Sequence, residues 1–233
     1  MTTHITTEQR VRDDLPQDGA ARPGRAWALS GVAAGLGGFA TTILSAEAGA
    51  AYVDGKVQEA DGVIASLNGH VPQLITFHVV ATLTVLALVP FGLGLHRRLR
   101  AGLDRDSLVP GTASFGILGT ALVVLMGTVL NTEFIFGVAG DTPLAVPEAA
   151  TVFNHWIATV PWVWGLTGLT GWALFRAWRQ GAVRAWMGIA AGILGTLSLL
   201  LTVAPLQYMA GWTGSVMVVL VGLGFAFGDR GSR

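Results

Sequence analysis

Long apolar stretches, each close to the roughly 20 residues that a helix needs to cross the hydrocarbon of a bilayer, constrain this chain more than any other feature. The chain is 52% hydrophobic and only 12% charged, which is too apolar for an ordinary soluble domain of 233 residues. The sequence therefore predicts an all-α integral membrane protein with six transmembrane helices. We place these helices at Trp27–Val53, Gln73–Leu95, Gly111–Phe136, Thr151–Phe175, Val183–Pro205 and Met209–Phe227.

The N-terminal segment differs in character from the rest of the chain. It is polar, contains Pro16 and Pro23 and shows no apolar periodicity. Such a segment cannot bury enough apolar surface to fold, so we expect residues 1–25 to form a disordered cytoplasmic tail and residues 26–229 to form a single transmembrane domain. The sequence has no cysteine, which excludes a disulfide framework, a thiolate nucleophile and a cysteine-ligated zinc or iron–sulfur centre.

The arginines are distributed unevenly along the chain. With six transmembrane helices, all thirteen lie on one side of the membrane, in the tail and at positions 97–105, 176–184 and 230–233. The only lysine, Lys56, lies on the other side together with several acidic residues. By the positive-inside rule the arginine side is cytoplasmic, which predicts a multi-pass protein of the cell membrane with both termini in the cytoplasm. Anionic lipid explains this basic boundary better than nucleic acid does, so the bilayer is the expected partner.

The chain contains an internal repeat. His78–Thr82 and His155–Thr159 share the pattern His-x-x-Ala-Thr, and Gly116–Thr120 is identical to Gly192–Thr196. The two offsets, 77 and 76 residues, agree within one residue, which indicates that a two-helix hairpin was duplicated. A duplicated pair of helices keeps its orientation, so we expect a four-helix core with pseudo-twofold symmetry about the membrane normal, flanked by the first and last helices. The two copies are residues 73–126 and 151–202.

Ionisable side chains of four predicted helices lie at one level near the outer face. His78 and His155 lie just inside the outer ends of the second and fourth helices, and Glu133 and Glu47 lie near those of the third and first. The threonine four residues after each histidine lies on the same helix face, so that face is polar and should point into the bundle. Ionisable residues in a membrane are costly unless they face the bundle interior, so they predict a functional site.

This set of side chains suits three kinds of chemistry. Imidazole and carboxylate groups are common ligands of divalent transition metals, and His78, His155, Glu133 and Glu47 are the candidate ligands. The side chains that could orient the imidazole rings from behind are Thr82, Thr159, Asn131, Asn154 and Gln207. His78 and His155 could instead be the axial ligands of one haem b, or a histidine could exchange protons beside Glu133 without a metal.

The plan of six helices with histidines on the second and fourth is distantly similar to cytochromes of the b561 type, although the third and fifth helices lack the second histidine pair of that pattern. The acidic outer face favours a metal cation over the propionates of a haem. The sequence therefore favours an outward-facing metal site that acts on a small or lipid-soluble molecule. The alternatives are a single-haem cytochrome, a proton-coupled transporter, and an accessory or scaffold subunit in a homo-oligomer or a larger membrane complex.

The charge asymmetry makes a direct prediction about topology. Reporter domains fused after Arg105 and after Arg184 should both be found in the cytoplasm, and one fused after Asp141 should be found outside, because the arginine-rich segments stay on the cytoplasmic side. Alkaline phosphatase and green fluorescent protein fusions measure the two locations. A cytoplasmic location for the fusion after Asp141 would reverse the placement of every candidate site residue.

Overall fold

The computed structural model describes residues 24–48, 52–53, 56–57, 59–140 and 144–228. Within these ranges the chain forms eight α-helices and one short β-hairpin. The elements are α1 (Ala26–Glu47), β1 (Tyr52–Val53), β2 (Lys56–Val57), α2 (Ala60–Gly69), α3 (Val71–Arg100), α4 (Val109–Val138), α5 (Pro147–Thr159), α6 (Thr167–Arg179), α7 (Ala185–Val203) and α8 (Ala210–Leu223). Residues 1–23 of the predicted tail, and Asp141, lie outside the described residues.

Five of the described helices are long and apolar enough to cross a membrane, which agrees with the predicted all-α membrane class. They are α1, α3, α4, α7 and α8, the last extended by a π-helical turn at Gly224–Gly228. The fourth predicted helix, Thr151–Phe175, is instead divided between α5 and α6, which have 13 residues each. Thirteen residues rise only about 20 Å, less than the thickness of the hydrocarbon, so a sixth span stays a prediction.

The division of the fourth predicted helix follows from its sequence. Pro161 has no N–H group to donate to the carbonyl four residues earlier, and a 3₁₀ turn at Val160–Trp162 follows the end of α5. Trp164 comes next and is buried, with its ring against Gly38 of α1 and Gly214 of α8. The break therefore lies inside the bundle, between helices that are distant in sequence.

The segment after α1 also differs from the prediction. The first helix ends at Glu47 rather than at Val53, and β1 pairs with β2 in an antiparallel hairpin. The Asp-Gly dipeptide between the two strands is typical of two-residue hairpin loops, which explains why the helix does not continue. The short helix α2 was not predicted. Its buried Val63 and Leu67, four residues apart on one face, are the signal that identifies it.

Six helices pack in a closed ring, in the order α1, α3, α4, α6, α7 and α8, with α8 returning to α1. The short helices α2 and α5 pack on each other, and α5 also packs on α4. In this ring α1 and α8 lie between α3 and α7. The two helices expected to flank a four-helix core are therefore members of the ring, and they close it. The internal duplication and its pseudo-twofold axis stay predictions.

Glycine residues let the helices of this ring approach closely. A Cβ atom on Gly35 of α1 would lie 2.7 Å from the backbone oxygen of Ser215 in α8. In α7, a Cβ atom on Gly195 would lie 2.8 Å from Cα of Gly171 in α6. Real Cβ atoms are not found at such distances from other backbone atoms, so only glycine permits these two backbone contacts.

The contact between α6 and α7 can be tested by adding one methyl group. Gly195→Ala should lower the free energy of unfolding by about 1–3 kcal/mol, because the two helices must separate to accommodate it. Gly111→Ala, near the start of α4, is the control, because no atom lies within 4 Å of its added Cβ. Thermal unfolding of the purified protein measures both, and a Gly195→Ala variant as stable as the wild type would contradict the close contact.

Candidate functional site

The buried apolar side chains form two separate clusters. The larger, which we call the arginine-end cluster, lies toward the arginine-rich ends of α3 and α6 and includes Leu88, Leu95 and Leu174. The smaller, which we call the far-end cluster, includes Leu74 and Ile135. Along α3 and α4 the two clusters are separated by about three helical turns, from Leu74 to Val85 and from Val124 to Ile135, and polar residues lie in this interval.

These polar residues come from three helices, and we call them the polar layer. Four of them carry hydroxyl groups, and each hydroxyl donates to a carbonyl oxygen of its own helix at 2.6–3.0 Å. A hydroxyl group that has donated its proton can still accept hydrogen bonds, so the layer presents acceptors to its surroundings. The polar layer consists of Thr41, Thr42 and Ser45 of α1, His78 of α3, and Thr128 and Asn131 of α4.

Asn131 is the unusual member of the polar layer. Its side chain is 1% exposed, and neither Oδ1 nor Nδ2 has a hydrogen-bond partner among the described residues. Among the described residues, one further buried side-chain atom has no partner, Ser215 Oγ. It lies against Gly38 of α1. A buried polar group without a hydrogen bond costs about 1–3 kcal/mol. Asn131 therefore marks a position at which a polar partner would be stabilised.

His78 joins α3 to α4 close to this position. Its Nδ1 atom lies 3.1 Å from the carbonyl oxygen of Thr128, and a neutral ring nitrogen next to a carbonyl oxygen must carry the proton. This contact selects the Nδ1–H tautomer of the half-buried imidazole and leaves Nε2 as an acceptor or a base. Thr128 is about one helical turn from Asn131. A basic nitrogen and an unpaired amide thus belong to one polar layer.

The break in the fourth predicted helix begins beside the same layer. Trp156 of α5 donates from Nε1 to the carbonyl oxygen of Gly127 at 3.2 Å. The side chain of Val160, the first residue of the 3₁₀ turn, lies against Gly127. Gly127 precedes Asn131 by one turn on the same buried face of α4. The regular helix of α5 therefore ends within about one turn of Asn131.

The ionisable residues predicted for a shared site have different surroundings. His155 and Glu133 are exposed, whereas His78 is half-buried. Glu133 lines a cleft of about 380 Å³ whose other lining residues are apolar, Phe134 among them. Glu47 is the last residue of α1, and its side chain lies outside the described part of the structure.

Among the described residues, no group of three or more His, Cys, Asp or Glu side chains is placed to hold a metal ion. In α5 the side chain of Trp156, the residue after His155, contacts α4 as His78 does from α3. The two side chains donate to consecutive carbonyl groups, those of Gly127 and Thr128. A metal or haem b held jointly by His78 and His155 stays a prediction.

Comparisons with protein families, curated proteins and solved structures find no match to this chain. Its class therefore rests on its own fold, a helical membrane protein with five candidate membrane-spanning helices and a polar layer inside the bundle. The sequence identified Asn131 only as a group that could orient a histidine. Its position in the sequence does not reveal that the amide lacks a partner, because the partners of a buried amide come from other helices.

Two buried asparagines allow a matched test of this site. Asn131→Leu should leave the free energy of unfolding unchanged or raise it by about 1–3 kcal/mol, because it removes a polar group that has no partner. Asn154→Leu should lower it, because Nδ2 of the 3% exposed Asn154 donates to the carbonyl oxygen of Ala48 at 3.2 Å. Thermal unfolding in detergent measures both variants. Destabilisation of both to the same extent would show that the Asn131 amide is structural.

Proposed function

We propose that this protein is a proton-coupled transporter that binds a small neutral solute in the polar layer. The observation that carries the proposal is the unpaired amide of Asn131, buried between two apolar clusters. An apolar residue at this position would avoid the desolvation cost, so the amide is better explained by a ligand than by stability. Polar residues inside a membrane bundle are typical of solute and proton pathways.

The chemistry of the polar layer indicates the kind of solute. Asn131 offers two N–H donors and one carbonyl acceptor, and the four hydroxyl groups offer acceptors. No side chain of the layer carries a permanent charge, so an ion in this layer would lack a counter-charge and would be costly to bury. A small neutral molecule with both donors and acceptors, such as a polyol or a primary amide, fits these groups best.

His78 is the group that would couple a proton to the solute. Because Nδ1–H donates to the carbonyl oxygen of Thr128, Nε2 is the atom that gains or loses a proton. Protonation converts Nε2 from an acceptor to a donor and adds a positive charge to the layer that contains Asn131, so it changes the affinity for the solute. By thermodynamic linkage, bound solute changes the affinity of His78 for the proton by the same factor.

The broken segment between α5 and α6 is the part best suited to move. Residues 163–166 are not helical, so a few backbone dihedral angles can change without breaking a continuous helix. Trp164 belongs to the arginine-end cluster and lies against Gly38 and Gly214, on the arginine side of the polar layer. A shift of α5 would open the layer toward the far end, and a shift of Trp164 would open it toward the arginine-rich end.

A metal site receives less support from the same geometry. It would need His78, His155, Glu133 and Glu47 to converge, and two of these four, His155 and Glu133, are exposed. The proposed solute site instead uses residues that are already in the interior of the bundle. Transport is therefore the better account of the polar layer.

Stopped-flow light scattering of proteoliposomes tests the proposal, with glycerol, acetamide and urea as the probes. Uptake of at least one probe should exceed that of protein-free liposomes. Asn131→Leu should reduce the excess by roughly tenfold, since two lost hydrogen bonds of about 1 kcal/mol each are sufficient for that factor. His155→Gln, a change at an exposed imidazole, is the control and should leave uptake unchanged. Wild-type rates equal to those of protein-free liposomes for all three probes would contradict the proposal.

The pH dependence of uptake tests the coupling to protons. Uptake by the wild type should depend on pH, because protonation of His78 would change the charge and the hydrogen-bond donors of the polar layer. His78→Gln should remove this dependence, whereas His155→Gln should retain it. The neighbours of His78 in the polar layer, Thr128 and Asn131, have no ionisable side chains. A His78→Gln variant with the pH profile of the wild type would exclude His78 as the coupling group.

A further inference from the structure

An apolar groove lies on the outside of the bundle between α6 and α7. It has a volume of about 370 Å³, and its lining includes Trp172, Phe175, Ile189, Ile193 and Leu197. Several of these large apolar side chains are well exposed, Trp172 at 48% and Ile193 at 59%. From Ile189 to Leu197 the lining extends about 12 Å along α7, a shape that fits a chain-like apolar ligand.

The groove continues into a cleft that contains two arginine side chains. Phe175 lines the groove and also a second cleft of about 370 Å³, whose other lining residues are Arg176, Arg179 and Gln180. Both arginines are exposed and lie in the last turn of α6. The lining therefore changes from apolar to cationic within about one helical turn. A matching ligand has an apolar chain at one end and an anionic group at the other.

The sequence supplies no acidic neighbour for these arginines from their own part of the chain. From Ala149 to Gly228, a range that includes all of α6, α7 and α8, there is no Asp or Glu. The guanidinium carbon of Arg179 lies 5.9 Å from the centre of the Trp178 ring, a cation–π contact that orients the charged group. Asp104 and Asp106, in the loop between α3 and α4 at the same end of the bundle, do not line the cleft. The positive charge of this cleft can therefore be matched by an anion from outside the chain.

We infer that the groove binds one anionic phospholipid, with an acyl chain along the apolar lining and the phosphate between Arg176 and Arg179. Charge complementarity selects this occupant, because guanidinium groups bind phosphate with paired hydrogen bonds and basic pockets beside transmembrane helices bind anionic headgroups. A second copy of the chain in the same membrane orientation would bring the arginines of both copies together, which disfavours it. The inference does not depend on the proposed transport function.

Native mass spectrometry of the purified full chain tests this inference, with phosphatidylglycerol and phosphatidylcholine added in equal amounts. The wild type should retain one phosphatidylglycerol per chain, with a preference of about tenfold or more, since two arginines lie where the anionic headgroup would bind. Arg176→Gln combined with Arg179→Gln should abolish the preference. Ile193→Trp should reduce retention of both lipids, because the larger side chain fills the groove.

The matched control is Arg97→Gln combined with Arg100→Gln. It removes the same charge from the same end of the bundle, in α3, and neither residue lines the groove or its cleft. The control should therefore retain the lipid preference of the wild type. If the Arg176→Gln, Arg179→Gln variant does not fold, Arg176→Gln alone replaces it. Sodium phosphate should not displace the lipid. Equal preference in both double variants, or displacement by phosphate alone, would overturn the inference.

Discussion

Hydrocarbon offers no hydrogen bonds, so every polar group inside this bundle depends on a partner within the protein. Several buried threonine and serine side chains meet this requirement locally, by donating to a carbonyl group three or four residues earlier in the same helix. Other side chains meet this requirement by bonding to a different helix. His78 of α3 and Trp156 of α5 donate to carbonyl groups of α4, and Asn154 of α5 donates to the carbonyl group at the end of α1. Among the described residues, the amide of Asn131 and the hydroxyl group of Ser215 are the exceptions. The amide, which has both a donor and an acceptor without a partner, directs attention to the polar layer.

Hydropathy and charge were sufficient to predict the class of the fold, because the apolar length of a helix is a property of one segment alone. Gln73–Leu95 and Gly111–Phe136 lie entirely within α3 and α4. The broken helix could not be predicted in the same way. Pro90 lies within the continuous helix α3, whereas a 3₁₀ turn surrounds Pro161. The outcome depends on whether neighbouring helices enclose the interrupted backbone, as α1 and α8 enclose Trp164.

The candidate site could be predicted only in part. His78 was identified from its depth in a predicted helix, and its hydrogen bond to α4 agrees with an inward orientation. His155 occupies the same position in the repeated pattern, yet α5 buries Phe153, Asn154 and Ile157 and leaves His155 exposed. A repeated motif specifies the spacing of residues along a helix. The face that a short helix buries is decided by the helices beside it, here α2 and α4.

The contact between α1 and α8 has a consequence for how the protein is made. Of the six helices in the ring, α1 is synthesised first and α8 last, so this contact joins the ring helices that are most distant in sequence. Until α8 enters the bilayer, lipid rather than protein covers the face of α1 that contains Gly35. Contacts between distant segments form late in folding. The ring is therefore incomplete until α8 has been synthesised, and a chain truncated before α8 leaves α1 and α7 each with an uncovered face.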